Sequence, residues 1–217
     1  MKKGLTELVF ILDRSGSMSG LESDTIGGYN AMLEKQKKEP GEAVLTTVLF
    51  DDRYELLHDR INLRGIVPIT DKEYYVRGST ALLDAVGKTI NKIGNALKPT
   101  AEEERAEHVM FVITTDGMEN ASREFGYEKV RRMIEHQKKK YRWEFIFLGA
   151  NIDAIATAER FGIDKDRATN YNADSEGTLL NYAVISETVS NLRASYPISE
   201  KWKDRIDEDF KKRGGRK

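Results

Sequence analysis

Apolar positions in this chain come in short continuous runs, separated by longer stretches where they recur every three or four residues. The runs read as strands buried on both faces, and the spaced stretches as helices. Leu5 to Leu12 is the first strand. The stretch from Leu21 to Lys38 is helical, with Ile26, Tyr29, Met32 and Leu33 near one face, and it stops before Pro40-Gly41. Ala43 to Phe50 is a second strand, and Asp51-Asp52 turns it into Arg53 to His58 as a charged antiparallel edge. Leu82, Val86, Ile90, Ile93 and Leu97 form a helical stripe that closes before Pro99. The strand Val109 to Thr114 precedes a helix marked by Tyr127, Val130, Ile134 and Tyr141. Trp143 to Leu148 is the next strand, followed by Gly149-Ala150-Asn151, where Asn151 is expected to cap a short helix from Ile155 to Phe161. Ala168 to Tyr171 predicts a last short strand, and Leu180, Ile185, Val189 and Leu192 a final helix. The order predicts an α/β fold. It is a Rossmann-like, doubly wound, mostly parallel sheet with one antiparallel edge strand and helices on both faces.

Length and charge refine this picture. The chain has 217 residues, 39% hydrophobic and 33% charged, enough for one substantial core with a well-solvated surface. No Pro- or Gly-rich linker divides it, so residues 1–196 read as one domain and residues 197–217 as a charged C-terminal tail. Five of the last seven residues are Lys or Arg, and a frayed, solvated terminus is the expectation there. A net charge of −1 creates no global field toward nucleic acid or membrane. Cysteine is absent, which removes disulfides, zinc thiolates and thiol nucleophiles together. No segment approaches the length of a membrane span. Glu7 interrupts the first apolar run, and Asp13 stands where a signal peptide would carry small residues. The expected location is cytoplasmic.

Three strand or helix ends carry the chemistry. The first strand ends in Asp13-Arg14-Ser15-Gly16-Ser17, one carboxylate followed by two hydroxyls on a tight turn. Gly78-Ser79-Thr80 opens a helix and presents another hydroxyl from what reads as an exposed loop. Val109 to Thr114 runs into Thr115-Asp116-Gly117. Oxygen-only side chains on such loops suit a hard divalent cation, and the carboxyl edge of an open α/β sheet is where ligands bind. Asp-x-Ser-x-Ser, a remote Thr and Thr-Asp-Gly, in that order, resemble the metal-ion-dependent adhesion site (MIDAS) of the von Willebrand factor A domain. The resemblance spans roughly residues 4 to 194. It implies a Mg2+ or Mn2+ site at Asp13, Ser15, Ser17, Thr80 and Asp116, with one or both aspartates acting through water. It also implies an open metal position that takes an Asp or Glu side chain of a protein partner. Met18 is expected to plug the underside of the loop, and Gly78 and Gly117 to let the loops close on the ion.

Binding fits these residues better than catalysis. A metal hydrolase needs a nucleophile or a positioned base, and His58, His108 and His136 all fall outside the three loops. A haloacid-dehalogenase-type phosphatase needs a second acid two residues after its first, where this chain has Ser15. One glycine stands where a dinucleotide fingerprint has three. The expectation is a non-enzymatic binding module. The alternatives are a metal-dependent phosphoester hydrolase at the same loops, or a nucleic-acid-binding accessory using the basic tail.

Overall fold

A computed structural model describes residues 1–214. Six strands form one sheet: β1 (Lys2–Asp13), β2 (Glu42–Phe50), β3 (Tyr54–Asn62), β4 (Ala106–Thr115), β5 (Glu144–Gly149) and β6 (Ala168–Asn170), in the order β3-β2-β1-β4-β5-β6. All pairs are parallel except β2 with β3. Helices α1 (Glu22–Lys38), α2 (Leu82–Leu97), α3 (Tyr127–Tyr141), α4 (Ala154–Arg160), α5 (Ser175–Arg193) and α6 (Asp204–Lys212) complete the chain. The fold is the doubly wound α/β sheet with an antiparallel edge that the apolar pattern predicts.

Each strand side chain points to the face opposite its neighbours', and the core divides accordingly. Leu8, Phe10 and Leu12 of β1 pack with α1, α5 and α6, while Val9 and Ile11 pack with α2, α3 and α4. Burial on both faces makes the central strands read as unbroken apolar runs. From β1 the chain moves outward through β2 to β3, then returns to place β4 on the other side of β1. The winding reverses between β1 and β4, so a crevice opens at their carboxyl ends. Asp13 ends β1, and Asp116 directly follows β4.

Two expectations need correction. Asn151 does not cap α4: it is exposed with φ 55°, and Asp153 takes that role, accepting from the Ala156 N–H at 3.0 Å. Nor does the chain fray between Pro197 and Lys212. Residues Glu200–Lys203 form a 3-10 turn leading into α6, and Ile198 and Ile206 are buried with Trp202 packed beside them. A charged helix folds back here because its few apolar residues lie on one side. Residues 215–217, which include two of the five terminal basic residues, lie outside the described residues.

Candidate metal centre

The loop after β1 turns at once into a 3-10 turn over Gly16–Met18, which aims Ser15 and Ser17 back over the sheet edge. Met18 is buried below it, as a plug would be. Asp13 organises this turn from beneath. Its Oδ1 accepts from the Ser15 N–H at 2.7 Å, and its Oδ2 from the Thr115 hydroxyl at 2.6 Å. The Tyr74 hydroxyl donates to the Asp13 carbonyl at 2.6 Å.

Thr80 arrives from the opposite side. Its Oγ1 is 3.0 Å from Ser15 Oγ, which is 3.1 Å from Ser17 Oγ, and the Ser17 hydroxyl donates to Asp116 Oδ1 at 2.5 Å. The structure therefore brings together all five sequence-predicted residues, Asp13, Ser15, Ser17, Thr80 and Asp116. Thr80 is not on an exposed loop, however: it is only 3% exposed. Its N–H donates to Asn120 Oδ1 at 3.0 Å, and its carbonyl accepts from the N–H groups of Asn120 and Ala121. Gly78, at φ 66°, makes the turn into this segment, and a Cβ there would lie 2.1 Å from Asp52 Oδ1.

Burial governs the electrostatics. It pushes the Asp13 carboxyl up to about 6, against the hydrogen bonds from Thr115 and Ser15, and the nearby Asp116 charge adds to the rise. Asp116 is raised too, again chiefly by burial, with the Ser17 hydroxyl opposing. Two buried carboxyls held above their ordinary range leave room for a cation to lower both.

Three observations test whether a divalent cation suits these residues. The donors are all oxygens. Asp116 Oδ2 is buried without a hydrogen-bond partner among the described residues. Gly117 leaves open the space a Cβ would fill, 3.0 Å from Ser17 Oγ and 3.2 Å from Thr80 Oγ1. The residues fit the ion.

A surrounding charge network escaped the sequence reading. Arg14, fully buried, donates from Nε to Asp51 Oδ2 at 3.1 Å and from Nη2 to Glu55 Oε2 at 2.5 Å. The Arg77 Nε donates to the same Asp51 oxygen at 2.6 Å, and its backbone N–H to the Arg14 carbonyl at 2.9 Å. Burial pushes Asp51 up, but Arg77, the Arg53 N–H and Arg14 more than offset it, and its carboxyl lies below its ordinary value. Asp51, read as a hairpin turn, thus ties the Ser15 loop to the Thr80 loop. Asp84 caps the segment after Asp116, accepting from the N–H groups of Arg123, Glu124 and Phe125. A buried carboxylate inside an apolar stripe, as Asp84 is on α2, was the available signal.

No protein-family model matches the chain, and no curated protein sequence matches it. Solved structures do. The pilus adhesin SpaC from Lactobacillus rhamnosus GG, in an open conformation, is 10% identical with a TM-score of 0.65, over 88% of this chain and 30% of that one. A von Willebrand factor type A protein from Catenulispora acidiphila is 13% identical with a TM-score of 0.61, over 88% and 43%. Proximal thread matrix protein 1 from the mussel byssus, with a zinc-occupied MIDAS motif, is 14% identical with a TM-score of 0.56, over 88% and 46%. The chain spans less than half the length of these three proteins. Its fold is that of von Willebrand factor type A domains.

Proposed function

We propose that this chain is a divalent-metal-dependent protein-binding module. Ser15, Ser17 and Thr80 hold the cation through their hydroxyls, and Asp13 and Asp116 orient that shell. A bound Mg2+ or Mn2+ supplies an electrophilic centre open to a carboxylate oxygen from an Asp or Glu of the partner. The observation that carries this reading is the meeting of three hydroxyls from two separate loops beside Asp116, whose Oδ2 has no partner among the described residues. Asp13 has both oxygens engaged by its own loop and by Thr115, so it stiffens the site from below. Hydroxyl ligands carry no charge, which leaves the cation's attraction for an incoming carboxylate little diminished.

The histidines support binding over hydrolysis. His58 Nδ1 meets Thr47 Oγ1, His108 Nε2 meets Ser195 Oγ, and His136 packs against Tyr141; none joins the centre. The fold is shared with an adhesin and a thread matrix protein, names that suit a protein-binding role.

Calorimetric titration of Mg2+ and Mn2+ tests the reading. Wild type should take up one ion, and Asp13→Ala, checked for a cooperative melting transition, should bind it at least about tenfold more weakly, given a lost loop anchor. Equal binding by both proteins would overturn the assignment. Multiple-turnover phosphoester hydrolysis lost in Asp13→Ala would move the function to catalysis.

A further inference from the structure

At the end of the sheet away from the metal centre, a groove of about 640 Å3 runs between α2 and α3, over the start of β4 and the residue before β5. Its Val109 and the Asp116 of the centre lie roughly 23 Å apart along β4 at strand spacing. Small-molecule sites have volumes of this order. The lining is of three kinds. Ile90, Leu97, Val109 and Trp143, all buried residues, give it an apolar floor. Asn91 and Asn95 of α2 and Gln137 of α3 bring three carboxamides. Lys98, Arg105, Lys140 and Arg142 bring four cations, against Glu102 as the one carboxylate of the lining. No carboxylate pairs with any of the four among the described residues. Arg105 is fixed instead by neutral carbonyls, those of Thr100 at 2.9 Å and Lys98 at 3.3 Å, which orient the guanidinium and leave its charge uncancelled.

We propose that this groove is a second ligand site, one that takes a nucleoside di- or triphosphate. Each part of the lining matches one part of that molecule. The apolar floor suits a flat ring system, and carboxamides, which both donate and accept, suit the polar edge of a base. Four uncancelled cations exceed what a single carboxylate would need and suit a chain of phosphates. A bare polyphosphate would leave the floor unmatched, and an apolar peptide or acyl chain would leave the amides and cations unmatched. The composition of α2 supports a built groove. Asn91, Gly94 and Asn95 are poor helix formers, and all three stand on the groove side of the helix. Packing does not require the glycine: a Cβ at Gly94 would meet only Gln137 Nε2, at an ordinary 3.8 Å. What its missing side chain leaves is space between the two helices. None of these residues belongs to the Asp13, Ser15, Ser17, Thr80, Asp116 set, so the site stands whether or not the chain binds a metal.

Calorimetric titration of ATP into the full chain tests the site. Excess chelator keeps the nucleotide from bridging to the centre at Asp13 through a metal ion. Wild type should bind one ATP saturably, and adenosine or inorganic tripolyphosphate alone should each bind at least about tenfold more weakly. Two variants, each checked for a cooperative melting transition, locate the binding. Gly94→Leu fills the groove without changing its charge. Lys140→Ala with Arg142→Asn removes two cations, and asparagine suits the left-handed backbone at position 142, φ 58°. Each should weaken ATP at least about tenfold. Wild type that shows no saturable binding by about 1 mM ATP overturns the proposal without reference to any variant. So does tripolyphosphate binding as tightly as ATP, which would mark a bare basic patch, and so does a folded Gly94→Leu that binds ATP like wild type.

Discussion

Gly117 separates metal binding from folding more cleanly than any ligand does. Its backbone is not in the left-handed region, so alanine adds no strain there. The new methyl would crowd Ser17 Oγ at 3.0 Å and Thr80 Oγ1 at 3.2 Å, the two hydroxyls it lies between. Gly117→Ala should therefore leave the melting temperature in chelator nearly unchanged, within about 0.5 kcal/mol of stability. Affinity for Mg2+ should fall at least about tenfold, because six-coordinate Mg2+ tolerates little distortion of its oxygens. A matched calorimetric and thermal comparison checks both halves. At this scale the motif residues were legible because their chemistry is local: a carboxylate and hydroxyls at strand ends. Arg14 and Asp51 were not, since 37 positions separate them and only the fold makes them partners. Thr115 was legible as the first residue of the Thr-Asp-Gly motif, but its role was not, until its hydroxyl is seen on Asp13.

Elements with a continuous apolar run or stripe were legible nearly to their ends, and those built from backbone pairing were not. β1 begins at Lys2 because the exposed residues Lys2 to Gly4 extend along the β4 edge, with the Lys2 N–H on the Arg105 carbonyl at 2.7 Å. β3 continues past His58 to Asn62 through a bulge at Arg60, φ 50°, whose guanidinium clasps buried Glu7 at 2.7 and 3.0 Å. Pattern reading has no view of either device. Helix α6 was readable in principle: Trp202, Ile206 and Phe210 recur every four residues, but charged neighbours mask them. Its packing gives a direct test. Ile206 is 1% exposed and belongs to the core shared with α1 and α5, so Ile206→Ala should cost roughly 3 kcal/mol. Denaturant unfolding measures this; a frayed terminus would show no change.

Across the whole molecule, a net charge of −1 contributes little self-repulsion, so pH dependence near neutrality falls to individual groups. Asp13, at about 6 in the metal-free protein, and Asp116, also raised, bind protons more tightly when folded than when unfolded. Their contribution to stability is fully present below the unfolded carboxyl range and is lost as pH rises through about 6. For Asp13 alone that loss is about 3 kcal/mol. Glu7, raised by burial against the pull of Arg60, acts in the same direction. His58, lowered by burial, acts in the opposite one. Neither belongs to the metal centre, so their effects cancel when the protein is compared with and without cation. Asp51 and Asp84, held below their ordinary range, matter only in stronger acid. A cation bound beside Asp13 and Asp116 favours their ionised forms and offsets the loss. The melting temperature in saturating Mg2+, minus that in chelator, should therefore be small near pH 5 and grow through pH 7. Thermal melts at half-unit pH steps measure it. A difference that stays flat with pH would show that these carboxyls do not face the cation.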